Sequence, residues 1–265
     1  MENLEKLNEI AYANGGNRAF GLPGYAASVD FIYEEISKLD GFKTWKQDFP
    51  ANFTQTLAAE VTVDDETFRT VALTYTPSTS EEGVTAELVH APEGTAACDV
   101  ANYEGIDVKD KIVLVERGLC PDQTTFAGKV RPAAAAGARV VVIYNSDEAK
   151  LTAGTLSAQS PDYVPTALID REPGKALKAR LDAGEKIEAF AKVIQTIETR
   201  ITQNVFAETK GGDEKNVVML GAHLDSVQAG PGINDDGEST ENPLSPSEHS
   251  FDLANTHRFW HIAHS

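Results

Sequence analysis

Two short runs near the middle of the chain are apolar from end to end, and they constrain the fold more than any other feature. Ile112-Val113-Leu114-Val115 follows Lys111, and Val140-Val141-Val142-Ile143-Tyr144 lies between Arg139 and Asn145. Runs of this length, rich in β-branched residues, read as buried strands. Between them Phe126 to Ala136 is small and alanine-rich, so it reads as a helix that Gly137 closes. Pro132 lies inside that helix. An interior proline costs about 3 kcal/mol outside the first turn, so the spacing predicts a start near Pro132 or a kink. Val164 to Ile169 is another short strand, and Pro173 and Gly184 bracket a further helix. Strand, helix, strand, strand, helix makes a compact α/β unit.

The flanks have a different texture. Leu4, Leu7, Ile10 and Ala11 recur at helical spacing until Gly15-Gly16, and Val29, Ile32, Tyr33 and Ile36 mark one face of a second helix that ends near Asp40-Gly41. From Thr44 to Ala91 alternating β-branched stretches and polar breaks read as strands and loops. Beyond Ile194, Thr202 to Ala207 and Asn216 to Gly221 are two more strands. The second is apolar through its middle, which predicts a sheet covered on both faces. From Glu238 onward the composition is that of a loop, and no internal repeat is visible.

The chain of 265 residues is long enough for one large domain or two modest ones, at about 150 residues per domain. Its 41 acidic residues against 23 Lys and Arg give a net charge of −18. That balance argues against nonspecific nucleic-acid binding, which needs a basic footprint, and against docking on an anionic membrane. No apolar run reaches the length of a membrane span. Met1 to Lys6 lacks the basic and apolar regions of a signal peptide, so the expectation is a cytosolic chain or one whose gene model misses a first exon. Asn52-Phe53-Thr54 is a glycosylation sequon that matters only in a secreted chain, and such triplets also arise by chance. Cys98 and Cys120, the two cysteines, say little by number alone.

The chemistry lies behind the apolar strand. Gly221-Ala222-His223-Leu224-Asp225-Ser226-Val227 is followed by Gly230-Pro231-Gly232-Ile233-Asn234-Asp235-Asp236-Gly237. Open α/β sheets place their sites at the carboxyl ends of strands, where His223 and Asp225 fall. Neutral imidazole is a good zinc ligand, and a carboxylate two residues on can orient the ring or ligate. The glycine-rich loop then returns a second carboxylate cluster, and an Asp projecting from such a turn can bridge two ions because both its oxygens stay exposed. The alternative is that these are surface and capping residues; the two motifs together behind one strand favour metal.

Gly221 to Gly237 resembles the signature of the co-catalytic zinc aminopeptidases of the aminopeptidase Y type. Two further blocks continue the resemblance. Asn14-Gly15-Gly16-Asn17-Arg18-Ala19-Phe20-Gly21-Leu22-Pro23-Gly24-Tyr25 is similar to the N-terminal block of that family. Asp107 to Gly118, Ala134 to Ala138 and Ile143-Tyr144-Asn145 resemble its inserted protease-associated domain. The resemblance covers residues 3 to 237. It implies a mixed zinc-peptidase sheet with helices, incomplete here, plus an inserted α/β protease-associated domain. The expected divisions are 1–70 for the first part of the peptidase domain, 71–194 for the insert, 195–240 for the metal-site part and 241–265 for a divergent tail. His223 matches a terminal zinc ligand, Asp235 the carboxylate bridging two zinc ions, and Asp225 the residue that orients the His223 ring. Asn234 and Asp236 shape the turn. Cys98 and Cys120 match the disulfide of secreted members, with two free buried thiols as the alternative. The implied activity is zinc-dependent hydrolysis of peptides from a free N-terminus, in a secreted or vacuolar setting.

The pattern stops at Gly237. The Glu-Glu pair expected to supply the general base does not follow, and neither do the later Asp and His ligands. Arg258-Phe259-Trp260 echoes the strand before that pair, but His261-Ile262-Ala263-His264-Ser265 follows it. His249, His257, His261 and His264 are alternative ligands; His257 and His261 would share a helical face, yet no Glu follows His257. The tail instead reads as surface or disordered. The expectation is a truncated aminopeptidase product, weakly active or inactive. A non-enzymatic peptide-interaction module built on the inserted domain is the alternative, and a dipeptidase or carboxypeptidase relative is a third reading.

Overall fold

A computed structural model describes residues 2–150, 152–237 and 258–264, with backbone alone at 236–237 and 258–264. In chain order the elements are helices α1 (Glu2–Ala13) and α2 (Pro23–Ser37), strands β1 (Phe42–Val63), β2 (Glu66–Phe68), β3 (Thr70–Ala72), β4 (Val84–His90) and β5 (Ile112–Glu116), helix α3 (Ala127–Ala135), strands β6 (Val140–Tyr144) and β7 (Thr166–Ile169), helix α4 (Arg171–Asp182), and strands β8 (Ile187–Thr209), β9 (Val217–His223) and β10 (Arg258–His264). The class is mixed α/β. Two compact units divide it, one made of Met1–Phe53 and Glu198–Ser265, the other of Thr54–Ile197. β1 and β8 each contribute residues to both.

In the central unit the strand order is β2-β1-β8-β4-β5-β6-β7-β3. β4, β5, β6 and β7 run parallel, while β3 is antiparallel to β7 and β8 to β4. The all-apolar runs are explained by what covers them. Ile112, Leu114, Val140, Val142 and Tyr144 face one core, into which α4 sends Leu177. Val113, Val115, Val141 and Ile143 face the other, where α3 supplies Ala127, Val130 and Ala133. A strand buried on both faces has no polar positions to alternate. α3 starts at Ala127 rather than near Pro132, and Pro132 is itself buried. Ala127, Val130 and Ala133 packed in the second core offset the lost backbone donor.

The compact central unit begins at Thr54. The second half of β1 pairs with β2 inside it, through Val61, Thr62 and Val63. Strand β1 runs unbroken from Phe42 to Val63 across Thr54, so no change of secondary structure marks a boundary there. The central unit also contains the disulfide Cys98–Cys120, with Cα atoms 5.8 Å apart.

In the terminal unit α1 and α2 pack Leu7, Tyr25, Val29, Ile32 and Ile36 against Val205 and Ala207 of β8 and against Leu224. β10 lies antiparallel to β8 and parallel to β9. The expected surface tail is therefore a paired strand at 258–264, because β8 and β9 both present backbone groups that need partners. The expectation of a β9 covered on both faces is corrected as well: Val217, Val218, Met219 and Leu220 are 42, 38, 59 and 50% exposed. The helices of this unit pack on β8 and Leu224 instead. Among the described residues, no helix is long and apolar enough to cross a membrane.

Candidate metal site

β9 ends on His223, and Leu224 is fully buried in the terminal core. That anchor fixes where the chain leaves the sheet. The Nδ1 atom of His223 lies 3.1 Å from the backbone oxygen of Asp225 and 3.2 Å from its Oδ1. A proton on the ring nitrogen set between two acceptors satisfies both, and in that tautomer Nε2 presents its lone pair. Nε2 faces Oδ1 of Asp235 at 3.0 Å. Two lone pairs at that distance repel unless a proton or a cation lies between them.

The separation suits shared ligation. Two ligands each about 2.0–2.1 Å from a tetrahedral zinc stand about 3.3 Å apart, a few tenths of an ångström from what is found. His223 and Asp225 are 35 and 29% exposed in their side chains, and Asp235 is 86% exposed, so the pair opens to solvent on the Asp235 side. Zinc normally takes three or more protein ligands. Among the described residues no group of three His, Cys, Asp or Glu side chains could hold an ion. The donors thus fit a metal as a pair and fall short of a full set.

Asp235 is carried by a π-helical turn, Ile233–Gly237, that also holds Asn234 and Asp236. Gly232 before it has φ +62, and a Cβ there would lie 2.5 Å from the Ser226 Cβ. His249 and His257 lie outside the described residues. His261 and His264 are on a strand, so the helical face imagined for 257 and 261 does not form; His264 pairs in register with His223.

Sequence reasoning assigned no role to Arg18, which belongs to this site. It is fully buried. Its guanidinium donates from Nη1 to the carbonyl of Leu224, from Nε to that of Pro231 at 2.9 Å and from Nη2 to that of Gly232 at 2.9 Å. Burial lowers its pKa from the usual arginine value, and the Asp225 charge opposes that. The available signal was an arginine set among glycines and apolar residues just before a helix.

Residues 84–177 match the PA domain, and residues 204–242 match Peptidase family M28. The chain is 40% identical over 241 residues to leucine aminopeptidase 2 of Trichophyton rubrum, covering 91% of this chain and 46% of the relative. It is similar to the solved aminopeptidase from Aneurinibacillus sp. strain AM-1, at 31% identity and TM-score 0.78, over 99% of this chain and 61% of that one. It is also similar to a zinc aminopeptidase from Bacillus subtilis, at 25% identity and TM-score 0.70, over 98% and 60%. The chain spans about half the length of the curated relatives it matches. The resemblance to the aminopeptidase family with an inserted protease-associated domain, read from three sequence blocks, is borne out.

Proposed function

We propose that the chain serves zinc-dependent removal of N-terminal residues from peptides. The observation that carries this reading is His223 Nε2 facing Asp235 Oδ1 at 3.0 Å with Asp225 behind the ring. His223 would be a terminal ligand and Asp235 the bridging one, and Asp225 would hold the ring and its tautomer. Zinc, when bound, supplies Lewis acidity toward a peptide carbonyl and lowers the pKa of water. Exposed Asp235 leaves one side open, where the free α-amine of a peptide would meet negative charge. The general-base glutamate does not follow Gly237 in these residues, so turnover by this chain is expected to be weak or nil. The names of the similar proteins support zinc and action on peptide N-termini.

The protease-associated insert corresponds in this reading to the compact unit Thr54–Ile197. The disulfide Cys98–Cys120 supports a secreted or vacuolar setting, since such bonds persist in oxidising compartments. There Asn52, exposed on β1, would be open to glycosylation. The second reading, a peptide-interaction module, is favoured by the independent match of residues 84–177 to the PA domain.

Hydrolysis of a chromogenic leucine amide, with its N-acetylated analogue as control, tests the proposal. Any turnover should need zinc, vanish with a chelator and spare the acetylated substrate. Chelator-resistant turnover, or cleavage of the blocked substrate, would overturn it. No turnover together with no bound zinc would leave the interaction module as the function.

A further inference from the structure

We infer that Arg18 is the positioning residue of this site, a buried fork that fixes the distance between its two arms. The inference rests on the metal reading of His223 and Asp235. Arginine is almost never fully buried without a paired acid, because burying a charge is expensive. Here its guanidinium hydrogen bonds run to backbone carbonyls, with the Asp225 carboxylate as the nearby opposing charge. Leu224, one acceptor, lies between His223 and Asp225; Pro231 and Gly232, the others, lie on the returning arm that leads to Asp235. A planar guanidinium presents donors at fixed angles, so both arms must keep one spacing to satisfy it.

The main chain repeats the link. The Arg18 N–H donates to Ser226 Oγ at 2.8 Å, and the Ser226 N–H donates to the Arg18 carbonyl at 3.2 Å. The base of the fork is held independently of the loop. Arg200 of β8 donates to the Gly21 carbonyl at 2.6 Å, and its guanidinium lies 3.6 Å from the Phe53 ring centroid. Tyr25 donates to the Gln203 carbonyl at 2.6 Å. A Cβ on Gly24 would fall 2.0 Å from the Asn17 carbonyl oxygen, so the segment closes tightly on itself. A fixed base and a rigid fork are what a ligand pair requires, since misplacement by about 0.5 Å already degrades a site. A second cation beside a metal is repelled by it, so the value of Arg18 is geometric. Lysine keeps the charge and loses the fork.

The test compares wild type with Arg18→Lys by zinc titration and by hydrogen exchange of residues 224–232. In the variant, exchange there should speed up at least tenfold, while residues 54–197 stay protected and zinc affinity falls about tenfold or more. Wild-type exchange and zinc affinity in Arg18→Lys would overturn the inference. So would a lower melting temperature with zinc affinity unchanged where both proteins are folded, which is the mark of a merely structural residue. If wild type itself takes no zinc, the metal reading fails and the exchange result alone decides the fork. Should Arg18→Lys not fold, the guanidinium protons of wild-type Arg18 are followed by NMR instead; exchange as slow as that of the protected amides supports the inference, and exchange as fast as that of an exposed arginine overturns it.

Discussion

The Oδ1 atom of Asp235 stands 3.0 Å from Nε2 of His223, twelve positions away in sequence, while Asp225 occupies the other ring nitrogen. The ring is thereby oriented from behind and aimed at the Asp235 carboxylate. Asp225→Ala removes one of the two acceptors on Nδ1 and frees the ring to turn. Zinc affinity should fall about 10–100-fold, the usual cost of losing such a partner, with the melting temperature little changed. A competition titration measures this, and wild-type affinity in the variant would contradict the role of Asp225.

Gly232 carries the turn that returns Asp235. At φ +62 a side chain costs about 1–2 kcal/mol, and its Cβ would also press on Ser226 and on the Asp235 carbonyl. Gly232→Ala should lower stability in urea by at least that amount. Gly230→Ala is the control, because a Cβ there meets nothing within 4 Å. Equal midpoints for the two variants would refute the constraint.

The disulfide closes a separation of 22 residues in the central unit. Such a loop is worth about 3 kcal/mol, so reduction or the Cys98→Ser/Cys120→Ser pair should lower the melting temperature by about 10 °C. An unchanged melt under reducing conditions would show that the bond contributes nothing.

His90 ends β4 and is half-buried. Burial, and then the Lys178 charge, lower its pKa below the usual 6.5, against the opposing pull of Asp182, Glu93 and Glu116. Burial also raises the neighbouring Tyr144 phenol, to about 12. A histidine with a depressed folded-state pKa binds protons more readily when unfolded. Its contribution to stability is therefore present above pH 6.5 and lost as the pH falls below it. Melting curves from pH 7.5 to 5 should decline more steeply for wild type than for His90→Gln. Parallel curves would contradict this.

How far the sequence could be read depended on what each residue reports. β5 and β6 were legible because residues buried on both faces leave an unbroken apolar run, and Gly137 and Gly184 close their helices at positive φ. β9 has the same apolar texture yet is exposed, since hydrophobicity records a preference for burial and not the presence of a cover. The His223–Asp225 spacing was legible through one strand end. The placing of Asp235 needed a loop closure that spacing alone does not define. Arg18 was illegible for a physical reason: a charged side chain reads as surface unless the carbonyls it serves are known, and those lie more than 200 residues away in sequence.

The proposed zinc site requires His223 and Asp235 to act as one metal-binding pair. Zinc titration of wild type and His223→Ala, with zinc-edge X-ray absorption on both, tests it most directly. Wild type should show an imidazole nitrogen and a carboxylate oxygen about 2.0–2.1 Å from zinc, and His223→Ala should bind at least tenfold more weakly with the imidazole signal gone. Zinc bound equally well by His223→Ala, or a wild-type spectrum without imidazole, would refute that pairing.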